Sequence, residues 1–565
     1  MFMNKTTVHN LPMLNAYPDS IGGTLTELID VLKRPELLNT MGSFYILPSL
    51  FNTDLDRGFS VINYDLNDQF AKIEDLKALE ELGLDLKLDF ILNHASVLSE
   101  QFQHIIAHGE ASKYKDFFIN WNNFWEGHGQ MTPDGYIQPN EECLENMFFR
   151  KPGLPILMVR FPNGINVPYW NTFYQEVKYP ILDAQDIMKV VEIQYYSANE
   201  LASVINKAIA DGNKPNDIDS GNYESYKATV VEYLESNRKY LGQMDFNIKS
   251  PMVWEFYNDV LKQLAEYGAT IVRLDAFAYA PKEPGERNFL NEPGTWDLLK
   301  KVQTLADQYN LVLLPEIHAS YSEKTYEVIA SKGYMTYDFF LPGLIIDALE
   351  HADGTTLKKW ADEIVEKEIK TVNMLGCHDG IPLLDLKGLL SEVRIQNLID
   401  IVVSRGGMVK DLHGQQNVYY QVNSTYYSAL GEDDQKLLMA RAIQLFMPGK
   451  PQIWYLDLLA GKNDYEAMKR AGAGGHKEIN RTNFTREQVE SALQKDIVKK
   501  QLEMLRFRFL FPAFSFDSTI TIEAEGAHMK FLWEKDGAVA TLHVDLNAMT
   551  FKMTGTSNEH AIIIE

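Results

Sequence analysis

The chain has 565 residues and a formal net charge of −25 at pH 7, a balance that argues against nucleic acid or an anionic membrane as partner, because both demand a basic surface. Its two cysteines, Cys143 and Cys377, make no disulfide framework in so long a chain and fit a reducing cytoplasm. Residues 1–10 hold no apolar core and no apolar run reaches 18 residues, so neither a signal peptide nor a membrane span is expected.

Taken in order, the first informative segment is Leu86-Lys87-Leu88-Asp89-Phe90-Ile91-Leu92-Asn93-His94, an apolar run that ends in Asn and His. Residues 197–205 then read as a helix, with Leu201, Val204 and Ile205 on one face and Ser197 with Glu200 as a capping box. The segment Ile271-Val272-Arg273-Leu274-Asp275 sets an arginine and a carboxylate two residues apart at the end of an apolar run. Strand pleat puts Arg273 and Asp275 on one face and Val272 and Leu274 on the other. A guanidinium beside a carboxylate keeps it ionised, as a nucleophile requires. Taken alone, such a pair is more often a structural ion pair at a strand end. It does not stand alone: the run 311–315 leads to Glu316 and His318, and the run 372–377 leads to His378 and Asp379. The last 50 residues or so switch to strand alternation, with a Lys535-Asp536-Gly537 hairpin signal between runs 529–533 and 539–546.

Spacing predicts one architecture. A (β/α)8 barrel of about 250 residues allots about 31 residues to each strand-helix unit. Asp275 and Glu316 are 41 residues apart, one unit with a long loop, and Glu316 and Asp379 are 63 apart, two units. The three acids then sit at the carboxyl ends of the fourth, fifth and seventh strands, the face on which such barrels place their chemistry. A retaining glycoside-cleaving site needs a nucleophilic carboxylate and a protonated carboxyl group about 5 to 5.5 Å away. Asp275 suits the first role. Glu316 suits the second, since Leu314, Pro315 and Ile317 surround it with apolar rather than cationic groups and raise its pKa. Asp379 is left to stabilise positive charge on the sugar ring.

The four segments, in this order and spacing, resemble the four conserved regions of the α-amylase superfamily, glycoside hydrolase family 13. Tyr279 four residues after the nucleophile, His318 two after the acid, Cys-His-Asp-Gly-Ile at 377–381, the stretch 420–430 and Leu-Ala-Gly-Lys-Asn-Asp at 459–464 narrow the resemblance to sucrose phosphorylases. It covers most of the chain. It implies an α/β fold, a TIM barrel with an inserted domain B, a small B′ loop domain and a carboxyl-terminal antiparallel β domain. The expected divisions are 1–95 (barrel), 96–178 (domain B), 179–240 (a helical insertion foreign to the family), 241–379 (barrel), 380–434 (B′ loop), 435–508 (barrel) and 509–565 (β domain).

The resemblance further implies sucrose or a related α-glucoside and inorganic phosphate as reactants. Asp275, Glu316 and Asp379 would be catalytic, and Asp56, His94, Arg273, His378 and Gln421 would hold the glucosyl ring. Tyr279, His318, Tyr420, Arg481 and Arg150 would serve phosphate and the acceptor. Packing alone would explain Tyr279 and Tyr420, and surface ion pairing Arg481 and Arg150. Sucrose with phosphate, giving α-glucose 1-phosphate, is the main expectation. Sister phosphorylases of sucrose 6′-phosphate, glucosylglycerol or glucosylglycerate, an intracellular α-glucosidase and a catalytically dead binding protein are the alternatives. Two departures bear on the acceptor: Asn417, Val418 and Tyr419 before Tyr420, and Gly474-Gly475-His476-Lys477-Glu478 before Arg481. The insertion reads as a structural or dimer-contact element, or as a lid, and monomer and homodimer both stay open. No Gly-rich loop opens a helix and His and Cys do not cluster at ligand spacing, so no cofactor and no metal is expected; amylases often bind calcium near the position matching Asn93, but the sucrose phosphorylase-like branch does not depend on it.

Overall fold

In the computed structural model eight parallel strands follow one another around a barrel: β1 (Met13–Ala16), β2 (Ser43–Ile46), β3 (Asp85–Ile91), β4 (Ala269–Asp275), β5 (Val312–Pro315), β6 (Thr336–Asp338), β7 (Thr371–Met374) and β8 (Lys450–Trp454). The structure describes residues 8–411, 419–472, 475–557 and 561–565, and of residues 410, 411, 419 and 420 the backbone alone. Ladders join β5-β4-β3-β2-β1-β8-β7-β6, and among the described residues none joins β5 to β6. At the mouth of that seam the His318 ring stacks on Phe339 with centroids 3.9 Å apart, while across the barrel interior Lys87 of β3 donates to the hydroxyl of Tyr337 on β6 and, at 2.8 Å, to Gln452 of β8.

Between β3 and β4 the chain leaves the barrel for a long excursion. Its antiparallel strand pair 156–160 and 166–170 leads to three helices, α1 (Ala184–Val190), α2 (Tyr195–Ala210) and α3 (Glu224–Ser236). These enclose a core of their own, with Ile187, Leu201, Ile205, Val230 and Leu234 at its centre. Their tie to the strand pair is polar, through Arg160 to Glu232 at 2.5 Å. The expected capping box and face of this helix are both corrected. The helix begins two residues before Ser197, at Tyr195, and Ala198, Leu201, Ala202 and Ile205 are its buried stripe while Val204 is 36% exposed. Small Ala198 and Ala202 let α2 approach its neighbours closely, which turns the stripe by one position.

The chain closes in a five-stranded antiparallel sheet, β9 (Thr519–Glu525), β10 (His528–Lys535), β11 (Ala538–Asp545), β12 (Thr550–Thr556) and β13 (Ala561–Ile564). Asp536 (φ 49°) and Gly537 (φ 80°) are the two turn residues between β10 and β11, the double positive φ of a tight hairpin. The sheet packs on the barrel through Trp533, whose indole donates to the Phe446 carbonyl at 2.8 Å. Among the described residues no helix is long and apolar enough to cross a membrane.

Candidate active site

The pocket lies at the carboxyl ends of the strands, and its first wall is organised by one guanidinium. The register that sets Arg273 beside Asp89 of β3 and Leu314 of β5 lets it reach both ways. Its Nη1 lies 2.5 Å from Asp89 and 2.9 Å from Asp275, and its Nη2 lies 2.6 Å from Glu316. Asp89 is itself fixed by the Tyr45 hydroxyl at 2.8 Å. Arg273 is fully enclosed, at 2% exposure, so the three carboxylates compete for one charge.

That sharing overturns the expected electrostatics of both acids. Glu316 does not sit among apolar groups alone: burial would raise its pKa, but Arg273 and His318, the latter 3.5 Å away, hold it below the ordinary carboxylate range. Burial pushes Asp275 well above that range despite Arg273, with Glu316 and Asp89 adding repulsion. The two acids titrate as one unit. The same competition acts on His318. Burial opposes its charge, yet hydrogen bonds to Asp385 (3.1 Å) and Glu316 raise its pKa to about 10. It stands as a cation at the pocket's edge.

The second wall is built on loops. Asp56 and Arg57 take positive φ (48° and 49°) in the turn after Phe51–Leu55. The next residue must be glycine: Gly58 has φ 124°, and a Cβ there would lie 2.3 Å from the Ser49 amide nitrogen. Asp379 follows β7. His378 Nε2 is 3.1 Å from one of its oxygens and Lys477 Nζ 2.7 Å from the other. Burial works against ionisation of Asp379, but His378 and Lys477 hold it well below the ordinary range. Arg481, 3% exposed, is no surface ion pair. Its Nε donates to the His378 carbonyl at 2.9 Å and its Nη1 lies 3.5 Å from Asp56. Phe59 stacks on the His378 ring at 4.9 Å.

Among the remaining expected residues, His94 Nε2 meets the Phe59 carbonyl at 3.0 Å, and burial lowers its pKa, as it does that of His378. Gln421 is buried in the strand Tyr419–Asn423, two residues from Asn423, whose amide donates to the Asp379 carbonyl at 2.6 Å. Arg150 comes from the excursion and donates to the Tyr279 hydroxyl at 2.9 Å, with its guanidinium 4.9 Å over Phe173. Tyr279 packs as well, with Phe289 4.6 Å away. The side chain of Tyr420, with Asn417, Val418 and Gly474, lies outside the described residues.

Near Asn93 the structure holds an ammonium. Lys282 Nζ is 2.8 Å from Asp245 and 3.1 Å from Asn93, and it also meets the Tyr279 carbonyl. Thr172 completes the grip on Asp245 through its amide and hydroxyl, at 2.9 and 2.5 Å. Among the described residues no group of three or more His, Cys, Asp or Glu side chains is placed to hold a metal ion.

Four participants were not assigned from sequence: Asp89, Asp385, Lys477 and Arg57. Asp89 shares the pleat signal of its strand, so it was within reach. The others are joined to the site only by tertiary contacts, Arg57 through the Arg481 carbonyl at 2.5 Å and Asp19 at 3.2 Å.

No family model matches the chain. Its likeness to individual proteins is extensive. A sucrose 6(F)-phosphate phosphorylase of Ilumatobacter coccineus is 48% identical over 569 residues, spanning 99% of this chain and 98% of that protein. A sucrose phosphorylase of Streptococcus mutans is 30% identical over 98% of this chain and 99% of its own length. The crystal structure of a sucrose 6F-phosphate phosphorylase from Thermoanaerobacter thermosaccharolyticum matches with a TM-score of 0.80 at 29% identity, covering 99% of this chain and 98% of that one. With the barrel, the three converging acids and this likeness in hand, the chain belongs to the sucrose phosphorylase branch of glycoside hydrolase family 13 and is a hexosyl-transferring glycosyl phosphorylase.

Proposed function

We propose that the chain is a retaining α-glucosyl phosphorylase that cleaves sucrose 6F-phosphate with inorganic phosphate to α-glucose 1-phosphate and fructose 6-phosphate. Sucrose itself, the main expectation from sequence, gives way to this sister substrate, which is the one named for the relative 48% identical over nearly its whole length. The observation that carries the reaction type is the grip of one guanidinium on two facing carboxylates beside a charged histidine. Asp275 and Glu316 lie 2.9 and 2.6 Å from the two terminal nitrogens of Arg273, which holds them close together as a retaining pair requires.

Asp275 attacks the anomeric carbon while Glu316 gives its proton to the departing fructosyl oxygen, leaving a β-glucosyl ester on Asp275. Phosphate then attacks the same carbon from the opposite face, the ester bond breaks, and the phosphate proton returns to Glu316. The first step needs the proton on Glu316 and the charge on Asp275, the reverse of the leaning that burial, Arg273 and His318 impose on them. A phosphoryl group lying against His318 would neutralise the cation that holds Glu316 low. The guanidinium of Arg273 is then free to favour Asp275. On this reading His318, held by Asp385, and Arg150, bonded to Tyr279, supply the positive charge for the anion. Asp379 faces the ring as a held anion suited to oxocarbenium charge.

An α-glucosidase would use the same acids but has no need of a standing cation beside its proton donor, so His318 favours phosphorolysis. A catalytically dead relative would not bring Asp275, Glu316 and Asp379 into one pocket. The test is release of α-glucose 1-phosphate from sucrose 6F-phosphate, sucrose, glucosylglycerol and glucosylglycerate, each with and without phosphate. The expected result is phosphate-dependent product, fastest from sucrose 6F-phosphate. Free glucose regardless of phosphate would overturn the reading, and a preference for another donor would overturn its substrate.

A further inference from the structure

Lys477 enters the second wall from the short 3-10 helix Gly475–Asn480 within a loop, 98 residues beyond Asp379, and has no counterpart among the motifs that identify the family. Its Nζ is 2.7 Å from Asp379 Oδ1 and 3.7 Å from Asp56 Oδ2. Across from it Arg481 Nη1 is 3.5 Å from Asp56 Oδ1 and Nη2 is 4.0 Å from Asp379 Oδ1. Two carboxylates and two cations therefore alternate around a ring.

The ring is loose. One of its four contacts is at hydrogen-bond distance, and Arg481 Nη2 is buried with no hydrogen-bond partner among the described residues. A purely structural ion-pair cluster gains its stability by closing such bonds, because a buried donor left unmade costs about 1–3 kcal/mol. A ring of alternating donors and acceptors spaced at 3.5 to 4.0 Å suits groups that both donate and accept. Neighbouring hydroxyls of a pyranose are such groups. The loop backbone is held while the lysine side chain projects: Asn480 donates to the Cys377 carbonyl at 2.9 Å, and the Ile479 carbonyl accepts from the Asp464 amide at 2.8 Å. A phosphate ligand is the poorer occupant, since two carboxylates already take the ammonium's charge and would repel a dianion.

We propose that Lys477 is a glucosyl-binding residue: its ammonium donates to a ring hydroxyl that in turn donates to Asp379 or Asp56, so that the pocket selects a hexosyl unit carrying that hydroxyl. The assignment rests on the reading above that this wall receives the glucosyl ring. Its signature is that it acts on the sugar common to both reaction directions and on neither acceptor.

The experiment compares wild type, K477M and K477R in kcat/KM with sucrose 6F-phosphate plus phosphate, and with α-glucose 1-phosphate plus fructose 6-phosphate. It repeats the second reaction with 3-deoxy and 4-deoxy α-glucose 1-phosphate. K477M is expected to lose about thirtyfold, the scale of a charged hydrogen bond, by the same factor in both directions. One deoxy donor should show no further loss in K477M, because the partner of its missing hydroxyl is already gone. K477R is expected to fold, to recover most of the rate and to change the ranking of the two deoxy donors. Unchanged kcat/KM in K477M, a loss seen only with the phosphorylated acceptor, or losses that simply multiply for both deoxy donors would each overturn the proposal. If K477M does not fold, an unaltered deoxy ranking in K477R overturns it. D275N run alongside separates the two levels: turnover surviving in D275N breaks the reading of the site, whereas a dead D275N beside an unaffected K477M breaks only the role of Lys477.

Discussion

On one side of the pocket a single guanidinium serves three carboxylates carried by β3, by β4 and just beyond β5; on the other, two carboxylates are served by two cations that arrive on loops. Both walls hold charge out of water, but by different means. Strand register fixes Arg273 within 2.9 Å of each of its acids, so the first wall is rigid and short of positive charge, and its acids stay coupled. The second wall is charge-balanced, with longer contacts and an unmade hydrogen bond. On the proposed reading the nucleophile and the acid lie on the strand-built wall and most of the sugar contacts on the other, which would let recognition vary with less disturbance of the bond-making pair.

The largest expected effects break the first wall. D275N should lower the phosphorolysis kcat by about 10⁴-fold or more, since no other group can form the ester; near wild-type turnover would dissolve the contrast between the walls. For E316Q the loss is expected at about 10³-fold with sucrose 6F-phosphate and much less with a donor whose leaving group needs no proton, such as α-glucosyl fluoride. Equal losses with both donors would remove Glu316 from the role of acid.

Much of the first wall was legible because a strand has period two: Arg273 and Asp275 share a face wherever the strand lies. The electrostatics of Glu316 were not. Its cation stands on the neighbouring strand, and only the register of β4 against β5 puts it there. The second wall was less legible still, since Asp56, Asp379 and Lys477 meet through three separate loops, and no local pattern announces a pairing between distant loops. The helix of the insertion shows the same limit on a smaller scale. Leu201 and Ile205 fit the expected face, but small Ala198 and Ala202 decided how α2 packs.

A middle-sized effect tests the anion side. D385N removes one of the two carboxylates that keep His318 charged. The KM for phosphate should rise about tenfold, and the activity should fall at lower pH than in the wild type. The folded-state pKa of His318 is raised from 6.5 to about 10, so its contribution to stability is complete below about pH 6.5 and is lost as pH rises through about 10. In D385N that loss should begin earlier, which urea midpoints between pH 6 and 10 would register; coincident profiles would mean that Asp385 does not hold the charge.

The smallest effects lie away from both walls. L201A should destabilise the insertion by about 2–4 kcal/mol while kcat changes less than twofold, and V204K at the neighbouring exposed position should cost less than about 0.5 kcal/mol. A large loss of activity in L201A would draw the insertion into the site.

The ammonium of Lys282, seated between Asp245, Asn93 and the Tyr279 carbonyl, joins the end of β3, the excursion and the loop that carries Tyr279. A cation borne by the chain has no off-rate and no supply to depend on. The junction forms whenever the polypeptide folds, at any dilution and in the presence of any chelator. Regulation by ion availability, open to a barrel that borrows its cation from solution, is closed to this one at that joint.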